Sequence, residues 1–174
     1  VVLRPDLLIT DQGFTMTELD SVPGGVGLTA YLNEVYAEDF PRVIGSAAMP
    51  DRFMASLARL TPKEKFPLVA IVVSEEAATY RPEFEWLGEK LRTLGHDVHV
   101  VEPSQVMQMG DGSYIPVDGA PRRVDILYRF FELFDLANVK GADDGKRADA
   151  VGLAPELLSR YPHQWSASLS RYQN

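Results

Sequence analysis

The sequence predicts an α/β chain built on a parallel sheet, and three observations carry that expectation. Leu68–Val73 reads Leu-Val-Ala-Ile-Val-Val, a run rich in β-branched residues of the kind that forms a strand covered on both faces. Over Pro82–Leu94, Phe84, Leu87, Leu91 and Leu94 fall at helical spacing, and Gly95 follows where helices commonly end in a left-handed residue. Asp97–Val101 is then a second apolar strand. Strand, helix and strand joined this closely make a βαβ crossover, the unit of a Rossmann-like open sheet.

The remaining elements follow in chain order. Val1–Thr10 is extended, with Pro5 suited to an edge or a strand start. Asp11-Gln12-Gly13 is a turn, and Phe14–Asp20 alternates as a second strand, so the two form a β-hairpin. Ser21–Gly27 is a Gly/Pro loop. Leu28–Ala37 and Met49–Leu60 are helices, by the spacing of Leu28, Tyr31, Leu32 and Val35 and of Phe53, Met54, Leu57 and Leu60. Thr61–Pro67 is a charged linker. Met109–Val117, with Gly-Asp-Gly inside it, reads as a small hairpin or a surface excursion, and Val124–Phe130 as a third buried strand. A polar loop over Asn138–Ala148 and a short helix over Leu153–Ser159 complete the chain. Three regions result: 1–61, 62–138 and a polar tail at 139–174.

Composition narrows the function classes. The 174 residues suit one domain with a real core. With 17 Lys and Arg against 25 Asp and Glu, the net charge is −8. An acidic surface disfavours nucleic acid and anionic membranes as partners, since both require surplus positive charge. The absence of cysteine excludes disulfides, thiolate metal sites and cysteine nucleophiles. No apolar run approaches the ~20 residues of a membrane span and no signal peptide is visible, so a cytoplasmic protein is expected. The chain opens on Val1 within an extended stretch, as a processed chain or a piece of a longer one would.

Several residues could carry chemistry. Glu18 and Asp20 are two apart on a strand and so share a face. They either hold a hard cation such as Mg²⁺ or are solvated carboxylates before a turn. Arg4 and Asp6 stand in the same relation: an arginine for a substrate carboxylate, or an exposed ion pair. Pro23-Gly24-Gly25-Val26-Gly27 either offers backbone amides to an anion at a helix start or is a plain turn. It lacks the Gly-Lys-Ser/Thr of a P-loop. Ser74, Glu75, Glu76, Tyr80 and Arg81 follow the first buried strand, and Tyr128 and Arg129 end the third; strand carboxyl ends are where open α/β sheets bind ligands. His96 and His99 flank a strand and point to opposite faces, and with His163 they read as structural. Trp86, Phe130, Phe131 and Phe134 read as core aromatics without the basic interleaving of a base-stacking surface.

Read together, Arg4-Pro-Asp6, Asp11-Gln-Gly13, Thr17-Glu18-Leu-Asp20 and Pro23-Gly24-Gly25 resemble the start of circularly permuted ATP-grasp proteins, the eukaryotic-type glutathione synthetase and glutathionylspermidine-synthase-like families. The likeness continues through Leu68–Val101 into Val124–Arg129 and covers about the first 140 residues. It implies a Rossmann-like sheet of the pre-ATP-grasp type at 62–138, preceded at 1–61 by a hairpin and helices belonging to an ATP-grasp region. It further implies an ATP-dependent carboxylate–amine ligase that forms an amide through an acyl phosphate, with Mg²⁺ and ATP as cofactors. The substrates would be a small amino-acid or peptide carboxylate and an amine. Carried over residue by residue, Glu18 and Asp20 would be metal ligands, although Asp20 stands where the family usually has Asn. Arg4, Gly24, Gly25 and Arg129 would bind substrate, with Glu75 or Glu76 near the amine. The family's ATP-clamping lysines and phosphate loop have no counterpart after Arg129, where only Lys140 and Lys146 follow. The expectation is therefore a fragment, inactive alone; the other reading is a non-catalytic Rossmann-like module that binds a ligand or a protein.

Overall fold

The computed structural model describes residues 2–20, 22–37, 39, 40, 48–110 and 112–131. The loop over 138–148, the helix over 153–159, the tail region 139–174, and with them Phe134, Lys140, Lys146 and His163, lie outside the described residues. What is described is mixed α/β, with three α-helices and several sheets, one of them parallel and three-stranded. Among the described residues no helix is long and apolar enough to cross a membrane.

Strand β3, Leu68–Val73, is the centre of the parallel sheet, flanked by β4, Asp97–Val101, and β8, Ile126–Phe130. All six β3 residues are buried, as the unbroken apolar run requires. Asp125 pins β8 in register at its start: its Oδ2 accepts from the Leu68 N–H at 2.8 Å and its own N–H donates to the Leu68 carbonyl at 3.0 Å. Alternation along the strands makes two cores. Val69, Ile71 and Val73 face helices α2, Ala48–Ala58, and α3, Arg81–Thr93, packing with Phe53, Met54, Leu57, Phe84, Leu87 and Leu91. Leu68, Ala70 and Val72 face the other way, onto Val101, Val106, Ile115, Val117 and Leu127.

Helix α3 connects β3 to β4 and stops as expected. Gly95 takes φ +88°, its N–H reaches the Arg92 carbonyl and the His96 N–H reaches that of Leu91, both at 3.0 Å, the paired bonds of a Schellman end. Helix α1, Val26–Tyr36, lies against α3 and is tied to it by Lys90 Nζ and Glu34 Oε1 at 2.6 Å.

The stretch after β4 corrects the expected small hairpin over Met109–Val117. It is a three-stranded antiparallel sheet of β5, Met107–Met109, β6, Gly112–Val117, and β7, Ala120–Arg123. Its inner face supplies Ile115 and Val117 to the second core. Strand β7 reads Ala-Pro-Arg-Arg and is wholly exposed, so no apolar alternation announces it.

The N-terminal hairpin joins β1, Arg4–Thr10, to β2, Gly13–Asp20. Asp6 pairs with Glu18 and Leu7 with Met16, so Thr17 is an extra residue in a β-bulge. The bulge changes which side β2 presents. Beyond it Met16 and Phe14 join Leu7 and Ile9; before it Leu19 joins Pro5. One face of the hairpin is therefore apolar throughout, and the other carries Arg4, Asp6, Glu18 and Asp20.

Candidate functional site

The polar face of the hairpin comes together with the carboxyl end of the parallel sheet. Arg4, Asp20, Val22 and Gly24 line a cavity of about 260 Å³ with Ser74, Glu76, Ala77, Tyr80, Phe130 and Phe131, the residues that follow β3 and end β8. Such sheet ends bind ligands because the strands stop there while the helices and loops that cover them diverge.

Arg4 organises this side. Its Nη2 lies 3.2 Å from Asp20 Oδ2, its Nε 3.4 Å from Asp6 Oδ1, and its Nη1 donates to the Gly24 carbonyl at 3.3 Å. Asp20 Oδ1 accepts from the Val22 N–H at 2.9 Å, which fixes the carboxylate as the chain leaves β2. Arg4 also borders a second cavity, of about 460 Å³, that it lines with Gly24, Gly25, Thr29, Ser56 and Arg52 of α2. Two cavities thus adjoin across Arg4 and Gly24. Arg4 lines both; the larger adds the guanidinium of Arg52, the smaller the carboxylates Asp20 and Glu76. Arg52 escaped the sequence reading because it lies on the polar side of an amphipathic helix, where no spacing distinguishes it.

The glycine loop does something other than expose its amides. Glu83, in the first turn of α3, reaches the start of α1: its Oε1 accepts from the Gly25 N–H at 2.7 Å and its Oε2 from the Leu28 N–H at 3.0 Å. A carboxylate of the chain itself therefore sits where an anion would be held. The glycines permit close packing. A Cβ on Gly24 would meet the Tyr80 ring at 2.3 Å, and one on Gly27 the Glu83 carbonyl at 2.1 Å. Glu83 could not be found from the sequence, since its partners lie 58 and 55 residues away.

The other expected site residues divide. Glu76 and Ser74 line the 260 Å³ cavity; Glu75 is exposed beside them and is not among its lining residues. Arg81 donates from Nη2 to the Val73 carbonyl at 2.7 Å and lies 3.6 Å from Glu102, so it latches the end of β3. Arg129 is only 5% exposed. It pairs in register with Val72, on the side of the second core, and donates to the Phe131 carbonyl. It is not among the residues that line the cavities on either side of Arg4. Tyr128 packs between Phe53 and Phe84, and burial, with the negative charges of Asp20 and Glu83, pushes its hydroxyl up. Trp86, expected in the core, is half-buried and packs against the first core. His96 faces Asp51 at 3.6 Å and His99 faces Asp97 at 2.9 Å, separate carboxylates, in keeping with structural roles.

The implied cofactors fit these residues unequally. Among the described residues no three His, Asp or Glu side chains converge as a metal cage. Mg²⁺, however, ordinarily takes only one or two carboxylates and completes its shell with phosphate oxygens and water, and Glu18 and Asp20 on one face can supply that share once Arg4 releases Asp20. No lysine is among the residues that line either cavity, and Lys90 is engaged by Glu34. No protein-family model matches the chain, and no curated protein matches it.

Proposed function

We propose that this chain is the substrate-binding part of an ATP-dependent carboxylate–amine ligase of the circularly permuted ATP-grasp type, with the parallel sheet serving as its Rossmann-like, pre-ATP-grasp region in the cytoplasm. The observation that supports the reading is a pair of adjoining cavities that share Arg4, one with a second guanidinium, Arg52, and the other with the carboxylates Asp20 and Glu76. An acid and an amine that are to be joined need neighbouring sites, one cationic and one anionic. Arg4 and Arg52 suit a carboxylate, which guanidinium groups hold through paired N–H donors. Asp20 and Glu76 suit an ammonium group or, with Glu18, Mg²⁺. Arg4 borders both cavities and so orients the acid toward the second. When bound, Mg²⁺ would neutralise phosphate charge; the groups that clamp the nucleotide would come from sequence outside the described residues.

The test uses the full-length protein that contains this chain. With Mg-ATP and a panel of amino-acid and peptide acids, hydroxylamine should trap an activated acid as its hydroxamate, with ADP released only when the right acid is present. Arg52→Ala should raise KM for the acid about tenfold, the loss of one charge-assisted pair, with little change in Tm. Neither ADP nor hydroxamate with any acid would overturn the ligase reading. The second reading, a non-catalytic module that binds a small acid, draws on the two cavities being lined without lysine. Calorimetry separates the two: acid binding that Arg52→Ala weakens about tenfold, without ATP turnover by the full-length protein, supports the module.

A further inference from the structure

Tyr80 also borders a groove between α1 and α3, of about 480 Å³, whose walls include Leu28, Tyr31, Pro82, Glu83 and Trp86. Tyr31 and Trp86 meet edge to face, with ring centroids 5.6 Å apart and planes at 80°. Two rings at right angles present both a π-face and an edge to the same space. Tyr31 and Tyr80 are each nearly half exposed, so their rings are open to a ligand. The Glu83 carboxylate also lines the groove, held in place by the Gly25 and Leu28 N–H groups.

Charge and hydration select the ligand. No lysine, arginine or histidine lines the groove. On α1 and α3 the charged groups closest in sequence are Arg81, Glu85, Glu89, Lys90 and Glu34; Arg81 is turned to the Val73 carbonyl and Glu102, and Lys90 is paired with Glu34. Among the described residues that line the groove Glu83 alone is charged. An anion would meet Glu83. A small metal ion would lose a tight hydration shell against mostly apolar walls. An ammonium group whose charge is spread over methyl groups loses little hydration, gains cation–π attraction from the rings and buries apolar surface. We propose that this groove binds an alkylated ammonium group, a quaternary or tertiary amine on a short chain. The inference is independent of the ligase reading, since it uses neither Arg4 nor Asp20 and would hold in a non-catalytic protein.

Choline and its neutral isostere 3,3-dimethyl-1-butanol differ in charge and hardly in shape. They would be titrated into the 174-residue chain, following the Trp86 indole N–H in ¹H–¹⁵N spectra. Choline should shift that signal saturably at millimolar concentration, with the isostere about fivefold weaker or more, as a desolvated cation–π contact implies. Trp86→Leu, followed through the backbone amides of Gly25 and Leu28, should weaken choline by a similar factor, and Trp86→Phe should retain most of it. Tyr31→Leu, on the exposed side of α1, provides the same comparison should Trp86→Leu fail to fold. Equal affinity for the neutral isostere, no saturable shift with choline, or unchanged binding in both leucine variants would overturn the proposal.

Discussion

The hairpin β1–β2 and the parallel sheet β4–β3–β8 are built from the same kinds of residue and are stabilised in opposite ways. Ile9 is 84% exposed and Phe14 74%, whereas Ile71 is fully buried. Strand propensity is equal for the two isoleucines, so it cannot be the difference. The sheet has a helical layer on one side and an antiparallel sheet on the other. Every residue of β1 is exposed, and β2 is exposed up to its last residue. An isolated two-stranded hairpin is marginal in water; this one gains from burial only when another surface covers its apolar face. The parallel sheet supplies the stability, and the hairpin projects Arg4 and Asp20 to its carboxyl end.

The sharpest way to break this contrast is to truncate the same residue type in each region. Ile71→Ala should cost about 2–5 kcal/mol by urea unfolding, through lost burial and the cavity left behind. Ile9→Ala should change the unfolding free energy by less than about 0.5 kcal/mol, as exposed positions do. An Ile9→Ala effect as large as that of Ile71→Ala would mean that the apolar face of the hairpin is covered in solution.

Next in size is the contact between α1 and α3, through which the glycine loop is anchored to the sheet. Gly27→Ala brings a Cβ against the Glu83 carbonyl, a backbone atom that cannot swing aside. Overpacking of this kind should lower stability by about 1–3 kcal/mol, read as a lower Tm. Glu83→Ala removes the acceptor for two N–H groups at the start of α1 and should cost about 1–2 kcal/mol. A neutral Glu83→Ala would show that water replaces the carboxylate without loss.

The contrast also explains what could be read in advance. Leu68–Val73 and Asp97–Val101 appear in the fold with their expected limits; the first is buried on both faces and so has to be apolar at every position. The hairpin was legible from its turn and alternation, but the consequence of the bulge at Thr17 was not, since no residue type there signals an extra position. Strand β7 was invisible because Pro121, Arg122 and Arg123 carry no pattern; it exists through pairing with β6. In the site, Arg4, Asp20, Gly24, Ser74 and Glu76 line one cavity, which Arg129 does not; the Arg129 guanidinium lies over the Phe131 ring. Glu83 and Arg52 depend on contacts between elements far apart in sequence, which periodicity cannot encode.

The smallest expected effect lies where the two sheets touch, away from the hairpin. Burial by itself would raise the Asp97 carboxyl, but hydrogen bonds from Arg122 and His99 outweigh it, helped by their positive charges, and hold it below the usual aspartate value. A carboxyl lowered in the folded state binds its proton less readily there than in the unfolded chain. Its contribution to stability is therefore complete above the unfolded value near 3.8 and disappears as pH falls through the lower folded value. Arg122 is half exposed, so solvent screens the pair and the contribution is at most about 1 kcal/mol. Arg122→Ala should lower Tm slightly at pH 6, with the difference from wild type shrinking as the pH is taken below 4. A difference that grows on acidification would mean that Arg122 acts on the sheet contact by packing rather than through the Asp97 charge.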